Sequence, residues 1–211
     1  MQINRIDIYT DPRFTKKVLY QHGAYLVDEE PYEVEIIDSF SAIVRGEDPD
    51  VFPALIEEFR FHAPHIHMFF DADHHIIKQY PKEEILDIEL SRIQPSQFFI
   101  DKDKLKAIET FIQKEEDIII QVMPYKDRYI CLDGHTRLYL AVQRGFDHVK
   151  AVVSETDDLV YHFVDEANRR NIYVPEDMIL LSHDEYVIQW DKYCDMVFEK
   201  AGGLICSVLT D

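Results

Sequence analysis

Residues 130–141 read ICLDGHTRLYLA, and their pattern indicates how the neighbouring segments are arranged. It begins as an apolar strand, turns at Gly134, and continues as a helix that starts on polar residues. A helix that follows a strand through a glycine turn points its first backbone N–H groups at one place, which suits a phosphate. Arg137 adds a cation in the first helical turn. The stretch therefore predicts a phosphate-binding turn.

The segments that follow and precede this turn predict a compact α/β unit. Asp117–Met123 is an almost continuous apolar run, as expected for a central strand. The helix after Gly134 is expected to end at Gly145, and Val149–Val153 is expected to return as a strand. This strand–turn–helix–strand order has a size acceptable for a small domain.

Three further elements are predicted upstream in the same unit. Ile85–Leu90 has the pattern of a strand, and Ile93–Gln97 has the composition of a turn. Asp101 or Asp103 is expected to cap a helix, whose buried face carries Leu105, Ile108, Phe111 and Ile112.

Residues 1–81 predict a mixed α/β region that ends near Pro81–Glu84. A first helix is expected to begin at Asp11, with Gly23 after its end, and a second helix is expected near Asp50. Strands are predicted around Ile3–Ile8, Ala24–Val27, Tyr32–Ile37, Ala42–Val44, Ile66–Phe70 and Ile76–Tyr80, the last two as a hairpin.

Half of the ten histidines fall between residues 62 and 75, and they raise the hypothesis of a metal site. His65 and His67 are expected to share a strand face, with Asp71 or Asp73 near them. The other interpretation is that these histidines are exposed strand and turn residues. No HExxH spacing supports a metal, so the sequence favours the second interpretation. The five residues are His62, His65, His67, His74 and His75.

Residues 155–211 predict a helical C-terminal segment. Thr156 is expected to cap one helix, and Asn171 is expected to end it in a left-handed conformation. Ser182 and Glu185 form a capping-box sequence that opens a second helix. That helix places an apolar stripe on one side, which is either part of the core or a surface for a partner. The stripe consists of Val187, Trp190, Cys194 and Val197.

Composition restricts the class of ligand. The chain has 211 residues, 41 of them acidic and 22 basic, and its formal net charge is −19. DNA affinity depends mainly on Lys and Arg contacts with phosphates, so DNA binding is disfavoured. A small anion bound by one arginine and backbone amides remains compatible with this charge.

Other features of the sequence predict a cytoplasmic protein. Three cysteines show neither disulfide nor zinc spacing, which is typical of a reducing compartment. No apolar run is long enough to cross a bilayer, and the first residues lack the order of a signal peptide. We therefore expect no membrane association.

Residues 85–153 resemble the ParB/sulfiredoxin superfamily domain, in the branch described as ParB-like nuclease. The resemblance is carried by Ile93–Gln97, by Ile118–Met123, and above all by Leu132–Arg137, which is similar to the family's nucleotide-phosphate turn. The expected architecture is thus α+β, with a mixed α/β region (1–81), a ParB/sulfiredoxin-like domain (82–154) and the helical segment (155–211).

The resemblance implies that a nucleotide or another small phosphate ester binds at this turn. By analogy Gly134 permits the tight turn, Arg137 pairs with a phosphate, His135 donates a hydrogen bond to it, and Thr136 is one of the binding residues. Asp133 would either stabilise the loop or bind Mg²⁺. Asp133, His135 and Arg137 are accordingly the candidate catalytic residues, and residues 134–137 are the candidate binding residues.

The sequence also departs from the family in ways that leave several activities open. His135 occupies the place of the sulfiredoxin cysteine, and Gln97 follows the early proline where serine kinases have a glutamate. Glu89 or Asp101 could replace that base. The hypotheses are Mg²⁺-dependent nucleotide hydrolysis or phosphoryl transfer, a non-catalytic nucleotide sensor with a protein partner, and a nuclease, which the charge disfavours. The structural alternative is an ordinary Asp-Gly turn before a helix with exposed polar residues.

Overall fold

The structure, a computed structural model, describes residues 1–200 and divides the chain into two compact units. The first unit is Met1–Glu84, and the second begins at Ile85 and contains the predicted helical segment from residue 155 to residue 200. The rest of that prediction, residues 201–211, lies outside the described residues. Both units combine helices with β-sheets, which confirms the predicted α+β class. Within residues 1–200, no helix has the length and apolar character needed to span a membrane.

The first unit is built on a six-stranded sheet with the strands in sequence order. Neighbouring strands are antiparallel, except that β4 and β5 are parallel and are connected through a helix. The strands are β1 (Ile3–Arg5), β2 (Ala24–Val27), β3 (Glu30–Asp38), β4 (Ser41–Arg45), β5 (Met68–Phe70) and β6 (Ile76–Gln79).

Two helices cover the two faces of this sheet. Helix α1 (Lys16–Tyr20) packs through Val18 and Leu19 on one set of β2 side chains. Helix α2 (Phe52–His62) packs on the alternate set, which begins with Tyr25. Successive side chains of a strand point to opposite faces, so β2 is buried on both sides.

Two predictions for the first unit were wrong. The first helix begins at Lys16 and not at Asp11, because the Asp11 carboxylate binds the backbone and guanidinium of Arg13 and Thr15 is the N-cap. His65 and His67 are not exposed strand residues, since they precede β5 and are 8% and 5% exposed.

The second unit contains a five-stranded mixed sheet in the order β7-β12-β10-β11-β8. The central strand β10 (Ile119–Tyr125) is antiparallel to β11 (Arg128–Asp133) and parallel to β12 (His148–Val153). The outer strands are β7 (Leu86–Glu89), antiparallel to β12, and β8 (Ile93–Pro95), parallel to β11.

Helices of the second unit pack around one large core. They are α3 (Lys102–Ile108), α4 (His135–Gln143), α5 (Leu159–Arg169), α6 (His183–Tyr186) and α7 (Lys192–Lys200). A π-helical turn, residues 187–191, joins α6 to α7. The predicted C-terminal stripe contributes Trp190, Cys194 and Val197 to this core, so its interpretation as core is confirmed.

Local hydrogen bonding explains where predictions for the second unit were wrong. Ile93–Gln97 is not simply a turn, since β8 forms an edge strand, where a proline without an N–H donor is tolerated. Helix α5 begins after Asp158 instead of Thr156, with Asp157 accepting a hydrogen bond from the Leu159 amide.

The second unit also contains a small sheet that the sequence did not predict. Strand β13 (Ile179–Leu181) pairs in parallel with β9 (Phe99–Asp101). This pairing connects the segment before α6 to the segment before α3.

Candidate functional site

The predicted turn connects the end of β11 to the start of α4. Gly134 adopts a left-handed conformation with φ of 92°, and α4 begins at the next residue. A Cβ atom at Gly134 would lie 2.8 Å from Cγ2 of Ile120, so a larger residue would strain both the backbone and the packing. The first amides of α4 have no acceptor within their own helix, as at any helix start.

Arg137 lies beside this turn. A Cβ atom at Gly134 would be 3.0 Å from Nε and 3.1 Å from Nη2 of Arg137. Nη2 donates to Oδ2 of Asp133 at 2.7 Å, and the two side chains are 23% and 12% exposed. The structure therefore brings together the cation, the carboxylate and the helix start that the sequence singled out.

His135 is buried under the turn and not directed to solvent. Its side chain is 2% exposed, and its Nε2 accepts hydrogen bonds from the backbone amides of Ser96 at 3.2 Å and Gln97 at 3.1 Å. The Ser96 hydroxyl is also 3.2 Å from Nε2 and donates to the Cys131 carbonyl at 2.7 Å. His135 thus connects the end of β8 to the start of α4.

Burial keeps His135 neutral. Desolvation, followed by the nearby charge of Arg137, lowers the pKa of His135 to about 3. Because Nε2 accepts hydrogen bonds, the ring proton belongs on Nδ1. The structure gives His135 the contacts of a positioning residue, in place of the phosphate donor that the resemblance implied.

Thr136 is also a buried member of the turn. It is 7% exposed, so its side chain faces the protein interior. Its backbone amide, together with that of Arg137, belongs to the first turn of α4. Any contact of Thr136 with a bound anion would therefore come from the backbone.

Gln97 is a member of the site whose contacts the sequence did not reveal. Its side-chain Nε2 donates to the Phe99 carbonyl at 2.6 Å and to the Tyr186 hydroxyl at 3.1 Å. Tyr186 lies at the end of α6 and is 1% exposed. The turn is consequently supported by the C-terminal helices through one buried glutamine, a contact that sequence spacing could not indicate.

The two acids considered as replacements for the kinase glutamate have different surroundings. Glu89 is exposed at the end of β7. Asp101 is buried, caps α3 through the Asp103 amide at 2.8 Å, and accepts from Nδ1 of His183 at 2.8 Å. The hydrogen bond with Asp101 raises the pKa of His183 above its usual value. The Asp101 carboxylate therefore already has two structural partners.

The turn contributes one carboxylate that a magnesium ion can use. Within residues 1–200, no group of three or more His, Cys, Asp and Glu side chains is arranged to bind a metal. The histidines of residues 62–75 are among the side chains to which this applies. Asp133 is the carboxylate at the turn, and it is paired with Arg137. Mg²⁺ usually binds through one or two carboxylates together with phosphates of the substrate.

Cys131 does not offer a nucleophile. It is fully buried in β11, and its thiol donates to the Asp133 carbonyl at 3.4 Å. Burial raises the pKa of the Cys131 thiol well above its usual value, so the reactive thiolate is disfavoured.

Comparisons with known proteins leave the chain without an assigned family. No family model matches it, and no curated protein matches it. One similar solved structure is that of protein Atu1540 from Agrobacterium tumefaciens, which is 15% identical, with a TM-score of 0.35. The match covers 62% of this chain and 75% of that one.

Proposed function

We propose that this protein binds the phosphate group of a nucleotide or another small phosphate ester at the start of α4. The observation that carries the proposal is the position of the Arg137 guanidinium beside Gly134, where the first amides of the helix also begin. A guanidinium and a helix N-terminus that meet at one point favour a dianion over a neutral ligand.

Each residue of the turn has a distinct part in this proposal. Gly134 permits the left-handed turn, Arg137 pairs with the phosphate, and the amides of Thr136 and Arg137 donate hydrogen bonds to it. His135 acts as a positioning residue, because its Nε2 is already bonded to two amides. An incoming phosphate competes with Asp133 for the Arg137 guanidinium.

A ParB/sulfiredoxin-like domain is the family context we propose for this site. The three segments that resemble the family lie in β8 and the residues after it, in β10, and in the turn itself. Two of those segments are bonded to each other through His135 and the amides of Ser96 and Gln97. This connection supports a single site made of separate segments.

The contacts favour a binding or sensing module over phosphoryl transfer. A general base needs a group that can accept a proton near neutral pH. His135 is neutral and already an acceptor of two amides, Gln97 is an amide, and Asp101 binds its own partners. We therefore expect phosphate binding without rapid turnover.

Mg²⁺ enters this proposal only with the ligand. Asp133 is the one candidate carboxylate at the turn, and an ion carried by nucleotide phosphates would contact it after Arg137 is released. The buried thiols of Cys131 and Cys194 are compatible with a reducing compartment such as the cytoplasm. The formal net charge of −19 argues for a small ligand instead of DNA.

The test is calorimetric titration with ATP, ADP and CTP, with Mg²⁺ and with EDTA, followed by a phosphate-release assay. The wild-type chain should bind at least one of these nucleotides at a 1:1 ratio. Arg137→Ala should weaken that binding by roughly tenfold or more, which corresponds to one charged hydrogen bond. Phosphate release should stay at the background rate.

Arg169→Ala is the matched control, since it removes the same charge from a side chain that is 71% exposed on α5. It should leave the affinity unchanged. Absence of binding to every nucleotide would contradict the proposal, and so would equal losses in Arg137→Ala and Arg169→Ala.

A further inference from the structure

The C-terminal helices of the second unit form a cleft. Its lining residues differ from those of the turn at Gly134. It has a volume of about 450 Å³, which lies within the range of small-molecule sites. Phe99 contributes from β9, and Tyr193 and Met196 contribute from α7. None of these residues belongs to the turn at Gly134.

The π-helical turn shapes one side of this cleft. Ile188 and Gln189 lie in residues 187–191, where the helix is wider than an α-helix, and both line the cleft. Single π-turns inside helices are often found at functional sites. Here the turn presents one apolar side chain and one amide to the same space.

The rim of the cleft is apolar and exposed. Ile188 is 60% exposed and Met196 is 49% exposed, whereas Phe99 is buried at 5%. Adjacent apolar side chains that remain in water favour a ligand that covers them. Methionine adapts its shape to different apolar ligands.

The charged side chains that line the cleft are positive, whereas the net charge of the chain is negative. Arg170 and Lys192 line it, and the described lining residues include no Asp or Glu. The whole chain has nearly twice as many acidic as basic residues. Lys192 and the part of the Arg170 guanidinium that is not paired with Glu166 favour an anionic group in the cleft.

Arg170 is fixed in orientation before any ligand binds. Its guanidinium lies over the ring of Phe98 at 4.4 Å and that of Phe99 at 5.4 Å, and its Nε donates to Glu166 at 2.9 Å. A planar donor group held in this way loses little freedom when it binds a carboxylate. Its side chain remains 39% exposed and accessible.

We infer that this cleft binds a small amphipathic carboxylate. The carboxylate pairs with Arg170 and Lys192, and the apolar tail or ring covers Ile188, Met196 and the Phe99 edge of the cleft. An anion-binding site of this kind makes the protein responsive to a carboxylate ligand. The inference does not depend on the proposed phosphate site.

The test uses octanoate and its neutral analogue octanamide, titrated by calorimetry into the full-length chain. Octanoate should bind at a 1:1 ratio, and octanamide should bind at least tenfold more weakly, because it lacks the charge. Amide NMR shifts should be largest between residues 187 and 196.

Two variants at exposed positions separate the headgroup from the tail. Lys192→Glu should weaken octanoate binding at least tenfold and leave octanamide nearly unchanged. Met196→Asp should weaken both ligands. Lys82→Glu and Ile76→Asp are the controls in the first unit. The first reverses the same charge at an exposed position, and the second replaces another exposed apolar side chain by a carboxylate. Both controls should bind octanoate like the wild type.

Several outcomes would overturn the inference. These are no saturable binding of octanoate, equal affinity for octanoate and octanamide, or equal effects of Lys192→Glu and Lys82→Glu. Binding that survives Met196→Asp would place the ligand elsewhere. Capture of an acidic peptide without any octanoate binding would exclude a small-molecule site.

Discussion

Nε2 of His135 accepts the backbone N–H of Gln97 at 3.1 Å, and this contact joins the end of one edge strand to the start of α4. A histidine in such a position must be neutral, because a protonated ring cannot accept a hydrogen bond at Nε2. The contact between His135 and the segment after β8 therefore forms only when the ring is neutral. This requirement makes the stability of the second unit depend on pH.

The first prediction concerns that pH dependence. The pKa of His135 is about 3 in the folded chain and is taken as 6.5 when unfolded, so the unfolded state binds more protons between these values. The free energy of unfolding should fall by up to about 1.4 kcal/mol per pH unit below about pH 6.5 from this residue alone. Urea denaturation of wild type and His135→Gln between pH 4.5 and 8 measures the difference. Parallel curves would contradict the prediction.

A pair of glycine variants tests the close packing of the turn. Gly134 and Gly145 both have positive φ, of 92° and 70°, but a Cβ atom meets Ile120 and Arg137 at the first and nothing within 4 Å at the second. Gly145→Ala should cost about 1–2 kcal/mol from backbone strain. Gly134→Ala should lower the free energy of unfolding by at least about 1 kcal/mol more than Gly145→Ala does, because the added methyl group overpacks the turn. Equal costs in chemical denaturation would mean that the packing around Gly134 relaxes freely.

Two tyrosine variants test the support given by the C-terminal helices. The Tyr186 hydroxyl accepts from Gln97 at 3.1 Å, whereas the buried Tyr193 hydroxyl has no hydrogen-bond partner within the described residues. Tyr186→Phe should destabilise the protein by about 0.5–1.5 kcal/mol, because it leaves a buried donor with one partner fewer. Tyr193→Phe should be neutral or stabilising. A higher melting temperature for Tyr186→Phe than for Tyr193→Phe would mean that the hydrogen bond from Gln97 to Tyr186 does not stabilise the protein.

The last prediction concerns the competition between Asp133 and a bound phosphate. The carboxylate lies 2.7 Å from the Arg137 guanidinium and repels an incoming dianion. Asp133→Asn should therefore increase nucleotide affinity several-fold in EDTA, where no Mg²⁺ can use the carboxylate. Calorimetry in EDTA measures this change. A loss of affinity would indicate that the orientation of Arg137 by Asp133 matters more than the repulsion.

Much of the local structure could be predicted from the sequence because it depends on neighbours along the chain. The apolar run in β10, the glycine before α4, the Ser182 capping box and the left-handed Asn171 are all found in the structure. Each follows from periodicity, capping or backbone freedom over a few residues. The predicted cap at Asp11 was wrong because its carboxylate binds Arg13, and Thr15 caps the helix instead.

Contacts between distant segments could not be predicted in the same way. The edge strand β8 and the unexpected strand β13 exist because β11 and β9 pair with them, and such pairing leaves little trace in a short sequence. Burial of His65 and His67 likewise depends on segments far along the chain, such as the Phe40 carbonyl that lies 3.0 Å from His67 Nδ1.

The sequence alone determined that a glycine turn, a helix start and an arginine lie within five consecutive residues, because these features are local. The contacts of the residues between them depend on segments that are distant in the chain. His135 turns inward to bind two amides of a segment nearly forty residues earlier. Asp133 pairs with Arg137 across the same turn. Burial and hydrogen bonding in three dimensions set the protonation and the direction of a side chain, and neither can be read from its position in the chain.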